Sequence, residues 1–243
     1  FSDKVSDTLI VAKGLPLKGL TYAIDADADY RAFNLKIERG VYIFDVQTPS
    51  ETVQNIELYL PGRHNVMNAL AALAMADVYG VSLERIKNSL QTFKGVQRRF
   101  SYKIKTDDLV LIDDYAHHPT EINAVINSVR EMYPTEKVLG IFQPHLFSRT
   151  KDFIDDFAAS LAQFDELLLL DIYPARELPI QGVSSSWLLE KIDLAHKKII
   201  SAKEVLINIE KSSAKIVVMM GAGDIGVLVN EVVNELKTIK KDR

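Results

Sequence analysis

Residues Leu109–Arg130 read LVLIDDYAHHPTEINAVINSVR. The apolar run Leu109–Ile112 is short and bounded by polar residues, so it reads as a buried strand. Pro119 suits the first position of a helix, where its missing N–H costs nothing. Between them lie two acids (Asp113, Asp114), a tyrosine (Tyr115) and adjacent histidines (His117, His118). These side chains all fall in one strand-to-helix turn. In open α/β sheets, ligands bind in the crevice at the carboxyl ends of the strands. The rest of the chain can be read by asking which residues reach that edge.

Downstream, strand and helix alternate. Apolar runs LVLIDD, KVLGIFQ, ELLLLDI, KKIIS and KIVVMMG read as strands. Amphipathic segments over Pro119–Met132, Arg149–Gln163, Ser185–Ile192, Ala202–Ile209 and Asp224–Thr238 read as helices. Such alternation implies an α/β domain with a parallel sheet covered on both faces. The irregular stretch YPARELPIQGVSSS is a candidate lid or substrate wall, because long loops in compact domains are often functional. Upstream, TLIVAK, GLTYAI, YRAFNLKIE, GVYIFDV and NIELYLP have strand character, separated by Gly, Asp, Pro and Ser. HNVMNALAALAMADVYG and SLERIKNSLQTF then read as two helices, the second with Ser82 as N-cap. This first block lacks the repeated βα units of a complete α/β domain. The boundary is expected near residue 95, in KGVQRRF, giving domains 1–94 and 95–243.

Composition narrows the function classes. At 243 residues, 47% hydrophobic and 26% charged, the chain is ordinary globular protein. A net charge of -4 leaves no electrostatic footprint for nucleic acid. The absence of cysteine excludes disulfides, thiolate nucleophiles and Cys-ligated zinc, and suits a reducing compartment. No apolar run is long enough to cross a bilayer and no secretory signal opens the sequence, so a cytoplasmic location is expected. The chain begins at Phe1 rather than Met, which raises the expectation that it is part of a longer protein.

Several motifs carry chemistry. GAGDIG at Gly221–Gly226 has dinucleotide spacing and follows a strand. No further strand bearing an acid comes after it, so a tight turn with close helix–sheet packing is the better reading. Asn65 and Asn68 share a face at the start of an Ala-rich helix; their amides suit either an adenine edge or helix capping. Arg98 and Arg99 are open to two readings, a bidentate phosphate clamp or a solvated hinge pair. His117 and His118 point apart on an extended chain and no ligand set completes a zinc site, so no metal is expected on them. One should contact substrate and the other serve structure. QPHLFSRT brings His145 and Arg149 to the same sheet edge as Asp114 and His117.

Taken in order, PGRHNVMNALAALA, GVQRRF, DDYAHHPTE, QPHLFSRT, YPARELPIQG and GAGDIG resemble the Mur ligases, from about Thr21 to the end of the chain. The resemblance implies a Rossmann-like C-terminal domain after the trailing, strand-rich part of a central ATPase domain. It implies ATP-dependent amide-bond formation through an acyl-phosphate, with UDP-N-acetylmuramate, L-alanine, ATP and Mg²⁺ as partners and no membrane or nucleic acid. It assigns Asn65 and Asn68 to adenine, Arg99 to ATP phosphate and Asp114 to ribose. Tyr115, His117, His145 and Arg149 would line the amino-acid side, with His117 the candidate catalytic group. Where the family often has a second arginine after the histidine of the PH motif, this chain has Leu146. No Gly-Lys-Ser/Thr phosphate loop occurs. The phosphate loop, the metal ligands and the UDP-binding domain are therefore expected in a preceding portion, and the chain alone is expected to be inactive. A murein-tripeptide recycling ligase of the same family and a non-catalytic nucleotide-binding module are the alternatives.

Overall fold

The computed structural model describes residues 19–38 and 40–241. The strand expected over TLIVAK lies outside them. The chain divides into two compact units, Phe1–Gly95 and Val96–Arg243.

In the first unit, β1 (Tyr22–Ile24), β2 (Tyr30–Glu38), β3 (Val41–Gln47) and β4 (Thr52–Leu58) form one sheet in that order. β1 runs parallel to β2 and the other pairs are antiparallel. Along β3, Tyr42, Phe44 and Val46 are buried while their neighbours are partly exposed. That is the two-residue period of a sheet with one covered face. The cover is α1 (Arg63–Val78), which buries Val66, Leu70 and Leu73, and α2 (Leu83–Thr92), which buries Leu83 and Ile86. The buried Tyr30 hydroxyl donates to Asp77 at 2.8 Å, tying β2 to α1. Ser82 occupies the N-cap of α2 as expected, but its hydroxyl makes no capping bond.

The second unit is a layered α/β sheet. Its strands are β5 (Ser101–Lys105), β6 (Val110–Asp114), β7 (Val138–Phe142), β8 (Glu166–Leu169), β9 (Lys197–Ile199) and β10 (Ile216–Met220), in spatial order β5-β6-β10-β7-β8-β9. All neighbouring pairs are parallel except β5 with β6. β5 is a correction to the sequence reading in one respect, since no strand was expected there; the sheet remains rich in parallel pairs. SYKIK is short, half polar and only partly buried, so it lacks the apolar run that marks an interior strand.

Alternate residues of the interior strands feed two cores. Ile112, Phe142, Leu167 and Val218 face one layer built by α3 (Pro119–Met132), α5 (Ile154–Leu161) and α6 (Ser185–Lys191). Leu111, Ile141, Val217 and Met219 face the other, built by α7 (Val205–Lys211) and α8 (Ile225–Lys241). The single helix expected over Arg149–Gln163 is instead two, α4 (Phe147–Asp152) and α5, broken at Phe153 with φ -117°. The helix expected from Ala202 begins as a 3₁₀ turn, Ala202–Glu204, with a Ser201–Glu204 capping box.

β10, last in sequence, lies between β6 and β7. The chain leaves β6 and returns two positions away, so the carboxyl ends of β6, β10 and β7 border one crevice, as expected at a switch point. β7 fits beside its helices because residue 140 is glycine. A Cβ there would lie 2.8 Å from the ring of buried Phe164. Gly140→Ala should therefore destabilise the fold by roughly 1–3 kcal/mol through overpacking. Urea denaturation reads this as a lower midpoint; an unchanged midpoint would mean Phe164 moves aside freely.

Candidate active site

The site is organised at the end of β6. Asp114 is 5% exposed. Its Oδ2 accepts from Phe100 N at 2.6 Å and its Oδ1 from Ala116 N at 2.7 Å. One carboxylate thereby fixes both the chain entering β5 and the turn that carries Tyr115 and His117. Burial pushes its pKa up to about 6, against the two backbone bonds and the Arg99 charge, which pull it down. Asp113, 1% exposed, faces Arg98 Nε at 3.4 Å and Lys103 Nζ at 3.5 Å.

Arg98 and Arg99 separate cleanly. Arg98, at φ 59°, also donates to the carbonyl of Gly221 and lies against Gly226, where a Cβ would meet its guanidinium at 2.6 Å. It joins the end of β6 to the end of β10, so the solvated-pair reading is wrong for Arg98. Arg99 is the open one: its side chain is 54% exposed and its nearest acid is Glu121, at 3.9 Å. Both guanidiniums approach the ring of Tyr115, at 5.0 and 5.8 Å from its centre.

The two histidines of the turn also divide their work. His118 is the N-cap of α3, with Nδ1 accepting from Thr120 N at 3.4 Å. Its ring packs edge-on to Phe153. His117 faces the crevice side of the turn. Its backbone N–H donates to Glu121 Oε2 at 2.9 Å, and its Nδ1 lies 2.8 Å from the Tyr115 carbonyl. Its ring is 5.1 Å from that of Tyr115 and 6.0 Å from that of His145.

After β7, Gln143 and Pro144 lead to His145, which forms a parallel bridge with Tyr173 and stacks on its ring at 5.7 Å. Arg149 Nη1 reaches His145 Nδ1 at 3.4 Å. Burial, and after it the positive charge of Arg149, pushes the pKa of His145 below the ordinary histidine value, which favours the neutral ring. Leu146, at φ 73°, takes the N-cap of α4 and its N–H donates to Tyr173 O at 3.0 Å. The candidate lid is tied down at this point. Glu177 accepts from Ser148 N at 3.0 Å and from the Ser148 hydroxyl, which holds its carboxyl below the usual carboxylate range.

GAGDIG contributes closeness rather than a dinucleotide site. Gln143 Oε1 accepts from Ile225 N at 3.0 Å and its Nε2 donates to Asp224 at 2.6 Å, so the start of α8 is satisfied within the protein. A Cβ on Gly223 would lie 2.4 Å from Gln143 Oε1 and 2.6 Å from the Tyr173 ring.

The structure thus brings Asp114, Tyr115, His117, His145, Arg149 and Arg99 to one edge of the second unit. Asn65 and Asn68 belong to the first turns of α1 in the other unit. Asn65 donates to Pro61 O at 2.7 Å and Asn68 is exposed. Sequence reasoning singled out Arg98 without its structural role and missed Glu121, Gln143 and Tyr173. Glu121 was legible as the acid of HHPTE four residues after His117; nothing local marked Tyr173 beyond its place in the long loop. Among the described residues, no group of three or more His, Asp or Glu could hold a metal ion, and no helix is long and apolar enough to cross a membrane.

Two family models match the sequence: the Mur ligase glutamate ligase domain over residues 98–228 and the Mur ligase middle domain over residues 2–76. UDP-N-acetylmuramate–L-alanine ligases of Flavobacterium psychrophilum and Christiangramia forsetii are 56% and 57% identical over 97% and 96% of this chain. The matches cover 53% and 52% of those relatives, so the chain spans about half the length of the curated relatives it matches. A crystal structure of a UDP-N-acetylmuramate–alanine ligase from Thermotoga maritima is 26% identical, with a TM-score of 0.73 over 90% of this chain and 48% of that one. A murein peptide ligase from Psychrobacter arcticus shares the fold at 23% identity and a TM-score of 0.65, over 95% of this chain and 48% of that one.

The buried Asp114 makes stability depend on pH. Its folded pKa of about 6 lies above the ordinary 3.8, so its contribution is full below about 3.8 and lost as pH rises through 6. The window spans about two pKa units, or up to about 3 kcal/mol. Asp114→Asn should carry a constant cost, since its amide NH₂ would face a backbone N–H, but should lack this pH-dependent loss. Urea unfolding at intervals between pH 4 and 7 should show the wild type losing ground to the variant as pH rises; parallel curves would contradict the assignment.

Proposed function

The chain belongs to the Mur ligase family, and we propose that its parent protein joins L-alanine to UDP-N-acetylmuramate with hydrolysis of ATP to ADP and phosphate. The observation that carries this reading is 56–57% identity, over nearly the whole chain, to relatives bearing that activity in their names. The reading implies a cytoplasmic enzyme, where ATP and the UDP-linked precursor are at hand.

The site chemistry supports it. An amino acid offers a carboxylate that wants a cation and an amine that must be neutral to attack an activated carbonyl. Arg149 supplies a guanidinium, and the neutral ring is favoured for His145 beside it. His117 and Tyr115 line the same side, with His117 assigned to the amine. Arg99 has an exposed guanidinium suited to a phosphate oxygen. Asp114 is assigned to ribose, although both its oxygens already accept backbone bonds; organising the turn is its surest role. In the first unit, the exposed Asn68 amide and the Asn65 side-chain oxygen fit hydrogen bonding to adenine. Each unit, taken by itself, thus carries side chains whose chemistry suits a part of ATP. For Mg²⁺ the described residues offer no ligand cluster, so its ligands and the triphosphate grip are assigned to the part of the relatives that this chain does not match. For the same reason the chain alone is expected to release no phosphate. The side chains of this crevice bind and orient, which is the main contribution of a protein to phosphoryl and acyl transfer.

The full-length protein, given ATP, Mg²⁺, UDP-N-acetylmuramate and either L-alanine or a murein tripeptide, should form product and ADP with alanine. Turnover with tripeptide alone would transfer the reading to the recycling ligase, and turnover with neither would leave a binding module. Within that enzyme, Arg149→Ala should raise the KM for alanine while leaving that for ATP nearly unchanged. Arg99→Ala should weaken ATP and slow turnover. Each lost charge-assisted bond corresponds to about 1.5–3 kcal/mol, roughly 10–150-fold. Arg99→Lys should rescue poorly, because a point charge cannot replace a planar fork. Initial rates with the two substrates varied separately distinguish these effects; the reverse pattern would overturn both assignments.

A further inference from the structure

The two histidines of the crevice are each caught by neighbours whose hydrogen-bonding role is fixed, and those neighbours are of opposite kind. Nδ1 of His117 lies 2.8 Å from the carbonyl oxygen of Tyr115 and 3.3 Å from Glu121 Oε2. Both oxygens accept, so Nδ1 carries the hydrogen and Nε2 of the neutral ring keeps its lone pair. Nδ1 of His145 lies 3.4 Å from Arg149 Nη1. A guanidinium can only donate, so here Nδ1 holds the lone pair and Nε2 carries the hydrogen. We propose that His117 and His145 are held in opposite neutral tautomers, so that one crevice presents a hydrogen-bond acceptor on one ring and a donor on the other, with Arg149 and Glu121 as the positioning residues that set this polarity.

The arrangement suits a ligand that is donor at one end and acceptor at the other, as an α-amino acid is through its amine and carboxylate. Two rings in the same tautomer would serve only one end. His117 Nε2 is then the acceptor for the amine N–H, and His145 Nε2–H joins Arg149 toward the carboxylate. That assignment to amine and carboxylate rests on the ligase reading; the tautomers themselves do not.

Other features hold the polarity in place. His145 cannot turn freely, because it stacks at an interplanar angle of 17° on Tyr173. Tyr173 in turn sits where a side chain on Gly223 would stand, 2.6 Å from the tyrosine ring. GAGDIG therefore has a role in this site: its middle glycine leaves room for the ring that orients His145. On the other side, Glu121 Oε2 holds both the backbone and the ring of His117, while Oε1 is the atom nearest Arg99. One carboxylate thus stands between the residue assigned to phosphate and the residue assigned to the amine.

The test reads the tautomers directly. Long-range ¹H–¹⁵N correlation of the imidazoles is recorded on the 243-residue chain, without nucleotide or substrate, well above the ordinary histidine pKa of about 6.5. His117→Gln and His145→Gln assign the signals. The expected spectrum has a protonated Nδ1 on His117 and a protonated Nε2 on His145. Arg149→Met should shift His145 toward the Nδ1-protonated form and leave His117 as it was, whereas Arg149→Lys, which keeps a cationic donor, should preserve the original pattern. The same tautomer on both rings in the wild type overturns the proposal, as does an Arg149→Met spectrum with His145 unchanged. Because no substrate enters the measurement, its outcome is independent of the ligation assay.

Discussion

Two consecutive buried carboxylates at the end of β6 hold the site together. A charged group removed from water is costly unless it is paired or hydrogen-bonded. Asp113 and Asp114 meet that requirement on opposite sides of the strand. Asp113 is neutralised by Arg98 and Lys103, and Asp114 takes two backbone N–H bonds. Those partners come from separate stretches of chain, so satisfying two acids fastens the segment before β5, β5 itself and the turn into α3 to one strand end. Arg98 extends the fastening to β10 through the carbonyl of Gly221.

On that platform the crevice is assembled by contacts that pass from loop to loop. Gly223 admits Tyr173, Tyr173 stacks on His145, and His145 faces both Arg149 and His117. Gln143 closes the remaining gap by capping α8 and bonding Asp224. Each loop alone is irregular, yet its polar groups end on a neighbouring loop. A site built in this way is pre-organised, which is what positioning chemistry requires.

Several features were legible because their signals are local. The apolar runs of β6, β7, β8 and β10 are buried on both faces, and such strands show as continuous hydrophobic stretches. Pro119 announced the start of α3. The convergence of His117, His145 and Arg149 followed from their places just after two strand ends. Other features were hidden because they depend on partners distant in sequence. β5 is a strand only because β6 offers it a hydrogen-bonding edge. The break at Phe153 interrupts a pattern that remains helical on both sides. Arg98 and Arg99 are chemically identical neighbours, and only the packing of Gly226 and Asp113 makes one structural and leaves the other open.

By itself, the sequence determined the class of the second unit, the edge of its sheet at which chemistry gathers, and the order of motifs that marks the family. Those properties depend on periodicity and residue type, which are written along the chain. Tertiary structure decided the rest: that β10 enters between β6 and β7, that a loop tyrosine sets the orientation of a histidine, and which nitrogen of each histidine carries its hydrogen. A ring nitrogen is donor or acceptor according to the atom facing it, and that atom lies two residues away for His117 and four for His145, at distances set by the fold. No pattern along the chain encodes such a relation until the backbone has brought donor and acceptor together.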